Sequence, residues 1–393
     1  MEMDMIKVLD KYGGIPICVG LYSFDKITSP FRVPSSKKVR NILMLKFWGF
    51  GNIIMATPTI RAVKKKYPFA KITFVTLSKN KNILEKNLDV DEIIYFQVEN
   101  LSQVVKDVLN LMLTFRKNKY DLILDLEQFA RTSSILAYLS GTKKRVGFTT
   151  QGQGRGFMYP IKVVYNNDQH MVKTFTDIAK AVGANPDNYD LTKLDYSKED
   201  EEYVNDYWDM VGVTKNDFII GMHVSSGENV TARRWPKQNF AKLADEFIKT
   251  YKAKIVLTGA PSEKDAVQEV IDMIKNKGNV VNSTGKVNLS QLAALIDRCD
   301  VFVSNDTGPM HMAAAVSTPT LSFFGPNTPY LYGPWQKNKI DFFLDLDCSP
   351  CITNFNNKST NCKDAKCLKQ ITVKDVMEKS KTFLTKIQNE RRV

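Results

Sequence analysis

The stretch Val301-Phe-Val-Ser-Asn-Asp-Thr-Gly-Pro-Met-His311 decides how the rest of this sequence is read. An apolar run enters a small polar turn, and Pro309 stands where a helix should begin. Proline suits the first helical turn, because its missing N–H would have no partner there. The free N–H groups and the positive end of such a helix form an anion site. The spacing therefore predicts a strand, a phosphate-binding turn over Ser304–Pro309, and a helix opened by Thr307, Gly308 and Pro309. Asp306 has the same sign of charge as a phosphate. It is expected to cap the turn or to accept from a ribose or sugar hydroxyl; Asp and Thr are also ordinary helix caps.

Outward from this turn the same strand–helix alternation continues in both directions. In the second half, strands are predicted at Phe218–Val224, Lys254–Gly259, Val280–Ser283, Val301–Ser304 and Thr320–Phe324. Helices are predicted near Lys237–Tyr251, Ser262–Lys275, Leu289–Arg298 and Pro309–Val316. The first half offers strands at Val39–Phe47, Lys71–Leu77, Glu92–Phe96, Tyr120–Leu126 and Arg145–Phe148, with helices such as Ile60–Tyr67 and Leu101–Arg116. Near-continuous apolar strands alternating with amphipathic helices imply parallel sheets covered on both faces. The polar segment Asn166–Glu202, with Asn185-Pro186-Asp187-Asn188, is the expected connection. This gives an α/β chain of 393 residues with two doubly wound domains, each large enough for its own core. The expected divisions are an N-terminal extension over 1–37, a first domain over 38–185, a second over 186–345, and a tail over 346–393. Ligands of such sheets bind at the carboxyl ends of strands.

Four further strand ends carry candidate chemistry. His223-Val-Ser-Ser-Gly227 opens into a small-residue loop with Ser225 and Ser226, followed by Arg233-Arg-Trp-Pro236. Arg233 and Arg234 are planar forks that match phosphate oxygens. The alternative for two Arg beside Trp235 is a solvated face with cation–π stacking. In Leu257-Thr-Gly-Ala-Pro-Ser-Glu263, Gly259 would let backbone approach a ligand, Ser262 would cap a helix, and Glu263 would accept from ribose hydroxyls. A first-turn Glu is equally served by the helix dipole alone. In Lys46-Phe-Trp-Gly-Phe-Gly-Asn-Ile-Ile54 the third glycine of a dinucleotide fingerprint is missing, and no acid ends the next strand at Thr76–Lys79. That excludes a dehydrogenase. The turn at Gly49 and Gly51 instead brings Asn52 to the strand ends, with Thr57 as the expected cap before Pro58. Asp125-Leu126-Glu127 ends the fourth strand, and alternation puts Asp125 and Glu127 on one face.

The net charge of +13, from 55 Lys and Arg against 42 Asp and Glu, favours anionic partners such as phosphorylated substrates or an acidic membrane surface. A Lys-rich proteome would give the same surplus. Nucleic acid is not expected, for there is no zinc-finger spacing, RRM signature or basic run with interleaved aromatics. No apolar run approaches the roughly 20 residues needed to span a bilayer. Met1–Asp10 carries acids, and Ile15–Tyr22 is interrupted by Pro16 and Gly20, so no signal peptide is expected. The expected location is the cytoplasm, with the N-terminal extension either resting on the inner face of the cytoplasmic membrane or packed as a helix on the first domain. Cys18 and Cys299 are isolated, whereas Cys348, Cys351, Cys362 and Cys367 cluster in one stretch. Four thiolates there could close a structural zinc site; free or redox-paired thiols are the alternative.

Taken in order, these stretches resemble glycosyltransferase family 9, the bacterial ADP-heptose:lipopolysaccharide heptosyltransferases and their relatives. The resemblance runs from Ile42–Leu45 through Gly-x-Gly-Asn52, Ala56-Thr-Pro-x-x-Arg61, Asp121–Leu126 and Ser140-Gly141 to Arg145-Val-Gly-Phe148. It continues with Arg233-Arg-Trp-Pro236, Gly259-Ala-Pro-x-Glu263, Ser304–His311, Phe324-Gly-Pro326 and the paired cysteines after Asp347. It implies the GT-B architecture of two facing Rossmann-like domains, with the C-terminal helix returning to the first. It implies an inverting transfer that needs no metal, from a nucleotide diphosphate sugar, typically ADP-heptose, to a lipid-linked saccharide. Asp306, His311 and Glu263 map to donor-binding positions of the family. The full donor-binding set expected is Gly51, His223, Ser225, Ser226, Arg233, Arg234, Trp235, Gly259, Glu263, Asp306, Thr307, Gly308, Pro309 and His311. One departure concerns the base: the family usually carries Asp where this chain has Asn52, and an amide accepts no proton near neutral pH. Glu127 is the candidate base, with Asn52 orienting the acceptor and Asp125 beside it. The alternative pairs Glu127 with Arg131 or Lys143. Another GT-B enzyme, such as a nucleotide-sugar epimerase, and a non-catalytic nucleotide-sugar binder are the competing functions.

Overall fold

The computed structural model describes residues 10, 12–21, 23, 38–98, 101–226, 231–356 and 358–391. The chain divides into two compact units, Met1–Thr192 and Lys193–Val393. The first holds β1 (Asn41–Leu45), β2 (Lys71–Leu77), β3 (Glu92–Phe96), β4 (Leu122–Asp125), β5 (Lys144–Thr149) and β6 (Ile161–Val164), in the order β3-β2-β1-β4-β5-β6. The second holds β7 (Ile219–His223), β8 (Lys254–Thr258), β9 (Val280–Asn282), β10 (Val301–Asn305), β11 (Thr320–Phe323) and β12 (Lys339–Phe342), ordered β12-β11-β10-β7-β8-β9. Every pairing is parallel. Both sheets thus have the Rossmann order. The winding reverses between β1 and β4 in one and between β7 and β10 in the other, where such sheets hold ligands. The central strands are buried along almost their whole length, as their apolar sequences require.

The predicted strands form, within two residues at each end. Two more, β6 and β12, were not predicted. Both are short edge strands with half-exposed residues, and such strands carry little apolar signal. The polar connection also hides an element: Met171–Lys180 is a helix that buries Met171, Val172, Phe175, Ile178 and Ala179. It packs against the helix Thr57–Lys66. The following segment stays with the first unit, because Arg61 Nη2 donates to Asn188 Oδ1 at 2.8 Å and to the Asp190 carbonyl at 2.6 Å. Thr192 N donates to Thr57 Oγ1 at 3.0 Å. The division therefore falls after Thr192 rather than after residue 185.

Two further expectations are corrected. Thr57 is not a cap: it lies inside the helix, and its hydroxyl donates to the Ile54 carbonyl at 2.8 Å. The last helix, Val373–Arg391, packs on the second unit rather than returning to the first. Its Val376 and Leu384 join the core built by Phe240, Phe247 and Leu257, and Gln388 Nε2 donates to the Tyr251 carbonyl at 2.7 Å.

Residues 12–21 are helical and lie on the first unit, with Gly14 and Cys18 buried. Asp10 caps the helix Arg131–Leu139, accepting from Arg131 N at 3.0 Å, Thr132 N at 2.7 Å and the Thr132 hydroxyl at 2.6 Å. The rest of the N-terminal extension, 1–9, 11, 22 and 24–37, lies outside the described residues. Among those described, no helix is long and apolar enough to cross a membrane.

Candidate active site

The carboxyl ends of β7, β8 and β10 deliver His223, Thr258 and Asn305 side by side. Asn305, whose role the sequence does not reveal, is the pivot. Its Oδ1 accepts from Trp235 N at 2.9 Å, and its Nδ2 donates to the Val224 and Ser225 carbonyls at 3.0 and 3.2 Å. One fully buried amide therefore fixes both the loop after β7 and the segment carrying Arg233 and Arg234. Gly227 and the next three residues lie outside the described residues.

The helix Gly308–Ala315 starts as expected, with Thr307 as its cap residue and Pro309 in the first turn. No side chain caps it, so neither Asp306 nor Thr307 takes the cap role. Ser304 Oγ instead donates to the Asn305 carbonyl at 2.8 Å and lies 3.2 Å from Thr307 Oγ1. The first-turn N–H groups remain as anion donors. Asp306 is buried and accepts from Asn327 Nδ2 at 2.8 Å, with Arg233 Nε at 3.6 Å from the same oxygen. Arg233 Nε makes no hydrogen bond. Arg234 Nε donates to Ser226 Oγ at 3.3 Å, and Ser225 Oγ is buried without a partner.

Both histidines here are buried and biased towards the neutral form. Burial lowers the His223 pKa, with the Glu263 carboxylate acting in the opposite sense; Nδ1 lies 3.2 Å from Thr258 Oγ1 and Nε2 3.8 Å from Glu263 Oε2. Burial lowers His311 to about 4, partly offset by Asp306, and its Nδ1 has no partner. Glu263 accepts from Ala260 N at 2.8 Å, so it, and not Ser262, caps this turn.

Trp235 and Gly259, both expected at the donor, are held by internal contacts. Trp235 is fully buried, its Nε1 donates to the Ile371 carbonyl at 2.9 Å, and its ring stacks on Phe323 at 4.1 Å between centroids. It anchors the arginines from behind. Space at Gly259 is tight: a Cβ would meet Thr284 Cγ2 at 3.0 Å and Val267 Cγ2 at 3.1 Å.

The first unit is built differently. Gly49 adopts φ +78° ahead of the helix Phe50–Met55, which contains buried Gly51 and half-buried Asn52. Asn52 Nδ2 reaches the Trp48 carbonyl at 3.5 Å, and its Oδ1 has no partner. Glu127 is 0 % exposed, which decides its role. Oε2 takes Lys46 Nζ at 2.8 Å, while Oε1 accepts from Phe47 N at 2.6 Å and Trp48 N at 2.9 Å. Its partner is thus Lys46, and neither Arg131 nor Lys143. Asp125 is equally buried; it pairs with Arg155 Nη2 at 2.7 Å and accepts from the Tyr159 hydroxyl and from Glu127 N. Burial raises the Asp125 pKa against the pull of Arg155. Arg155 also donates to the Glu127 carbonyl. Both carboxylates therefore hold the strand ends together. A carboxylate bonded through both oxygens and shut from solvent is badly placed to take a proton from an acceptor.

The four clustered cysteines are free thiols: Cys348 and Cys362 exposed, Cys351 half-buried, Cys367 buried. Cys351 Sγ lies 3.2 Å from Thr360 Oγ1. Burial and the neighbouring thiols of Cys351, Cys362 and Cys348 push Cys367 up to about 11. Among the described residues, no group of three or more His, Cys, Asp or Glu stands where it could hold a metal ion.

Comparison with known proteins matches this geometry to a family. The profile of glycosyltransferase family 9 (heptosyltransferase) matches residues 108–360. Lipopolysaccharide heptosyltransferase 3 of Escherichia coli (strain K12) is 27% identical over 319 residues, 75% of this chain and 85% of that protein. The crystal structure of a family 9 glycosyl transferase from Veillonella parvula superposes with a TM-score of 0.74 at 25% identity, covering 88% of this chain and 97% of that one. E. coli heptosyltransferase WaaC, solved with ADP, has the same fold at a TM-score of 0.66 and 16% identity, with 87% of this chain and 99% of that one covered. The profile spans well over half of the sequence, and on that ground the chain belongs to glycosyltransferase family 9, the heptosyltransferases.

Proposed function

We propose that this chain is an inverting glycosyltransferase that moves heptose from ADP-heptose to a lipid-linked saccharide of the lipopolysaccharide-core type. The observation that carries the reading is the uncapped helix start at Thr307–Pro309, with Arg233 beside Asp306 at the end of β10. Membership of family 9 and the ADP held by the WaaC structure support the choice of donor. In this reading the second unit takes the nucleotide diphosphate. Arg233, Arg234 and the helix N–H groups stabilise the charge that grows on the diphosphate as the bond to the anomeric carbon breaks, and they do so without reorganising. Asp306 and His311, the latter neutral, address the hydroxyls of the donor. The acceptor hydroxyl, oriented by Asn52, attacks the anomeric carbon from the opposite face as the bond to the diphosphate breaks, and its proton passes to solvent. Glu127 holds the turn that carries Asn52. The +13 charge suits work at the anionic inner face of the cytoplasmic membrane, where a lipid-linked acceptor resides.

The test is transfer itself. ADP-heptose and a core acceptor lacking one heptose should yield ADP and an acceptor heavier by one heptose, unchanged by EDTA. Arg233→Ala should lower kcat/KM by roughly 100-fold. Donor altered without acceptor would mark an epimerase, and no turnover with retained ADP-heptose binding would mark a binder. Co-sedimentation with vesicles containing anionic lipid, lost in neutral vesicles, checks the membrane part.

A further inference from the structure

We propose that Asn327 is a further donor-binding residue, positioning Asp306 through Nδ2 and accepting a hydroxyl of the bound donor on Oδ1. This rests on the reading of the second unit as the donor side.

Asn327 is only 2 % exposed, so its amide cannot be satisfied by bulk water. Nδ2 donates to Asp306 Oδ2 at 2.8 Å. A carboxylate only accepts, so this bond fixes which end of the amide is which. Oδ1 is left as an acceptor, and it has no partner. A buried amide oxygen without a partner is costly, and natural proteins keep few of them. The same Asp306 has Arg233 Nε at 3.6 Å and acts on His311, and both Arg233 Nε and His311 Nδ1 are also unpartnered. Asp306 and Asn327 thus present two neighbouring acceptors. Their natural complement is a pair of hydroxyl donors, as on a sugar or a ribose.

The backbone beneath Asn327 is braced, which is what a recognition residue needs. The Pro326 carbonyl accepts from Cys351 N at 2.9 Å and Ile352 N at 2.7 Å, and the Ser349 hydroxyl donates to the Gly325 carbonyl. Gly325 has no space for a side chain: a Cβ would meet Leu368 Cγ at 2.7 Å and Cys367 Sγ at 2.8 Å. The cysteine-bearing loop therefore grips the turn on which Asn327 sits.

The experiment compares wild type, Asn327→Ala and Asn327→Asp in steady-state transfer and in calorimetric binding of ADP and ADP-heptose. Asn327→Ala should raise KM for ADP-heptose roughly tenfold, the size of one hydrogen bond, with the melting temperature of the free protein little changed. If ADP binding weakens equally, the hydroxyl is on the ribose; if only ADP-heptose binding weakens, it is on the sugar. Asn327→Asp keeps size and acceptor but sets two carboxylates together, so one must hold a proton. Its activity should recover as pH falls, when the introduced carboxyl donates to Asp306 as the amide did. A merely structural role would give no such recovery. Unchanged KM and ADP affinity in Asn327→Ala overturn the proposal, as does a pH-independent loss in Asn327→Asp that tracks lowered stability. If wild type neither binds ADP-heptose nor transfers, the functional reading fails first. If wild type works and the variants match it, only this inference falls.

Discussion

At the carboxyl edge of the first sheet, Asp125 and Glu127 are each engaged by a cation and by further hydrogen bonds, and both are closed to solvent. At the same edge of the second sheet, Asp306 shares its surroundings with an arginine that makes no hydrogen bond through Nε, a neutral histidine and an uncapped helix start. Both sheets have one strand order, so topology does not set the difference. Near the first edge the partnerless side-chain atoms are mainly neutral, Asn52 Oδ1 and Gln128 Nε2 among them, although Arg155 Nε lies beneath. The contrast teaches that charge is cancelled internally at the first edge and left open at the second; in the proposed reading the first handles a neutral hydroxyl and the second a diphosphate.

Breaking the first edge should give the largest effect. Arg155→Met leaves Asp125 buried and alone, and should destabilise the fold by about 3–5 kcal/mol in denaturant titrations. Because Asp125 already has a raised pKa, the loss should shrink as pH falls and the carboxyl protonates. Glu127→Gln should cost about 3 kcal/mol of stability by leaving Lys46 unpaired. Full stability with a collapsed kcat would instead restore Glu127 as a base and erase the contrast. On the second edge, His311 is held to about 4, against an unfolded value near 6.5, by burial. Its contribution is complete above the unfolded value and is lost as pH falls towards the folded one. Wild type should therefore lose on the order of 2–3 kcal/mol between those limits, and His311→Gln should lose less. The smallest effect is expected from Trp235→Phe. It keeps the stack on Phe323 but drops the bond to the Ile371 carbonyl, costing about 1 kcal/mol. Nucleotide affinity should stay within about twofold, which would sharpen the assignment of Trp235 to packing rather than binding.

Much of the fold was legible because the buried parallel strands wrote their burial into continuous apolar runs. The edge strands β6 and β12 and the helix Met171–Lys180 were not, since half-exposed or polar-interrupted elements dilute the periodic signal. At the site, Arg233, Asp306 and the helix start could be read because turn chemistry is local. The partners that decide the roles are remote in sequence: Arg155 is 30 residues from Asp125, and Lys46 is 81 from Glu127. No spacing rule reaches them. Asn327, 21 residues beyond Asp306, directly follows a glycine–proline pair that the sequence did single out, and it was passed over because its meaning depends on the fold around it.

The bond from Trp235 to the Ile371 carbonyl also fixes an order of events. The core behind the donor arginines includes Leu368, Ile371, Val376 and Leu384, all near the chain's end. During synthesis from the N-terminus, the first unit can complete its sheet long before those residues emerge. The second stays an open half-core until the last helix arrives. A polypeptide stalled before residue 368 would therefore carry a finished first sheet, while the segment that holds Arg233 and Arg234 would still lack the core behind Trp235.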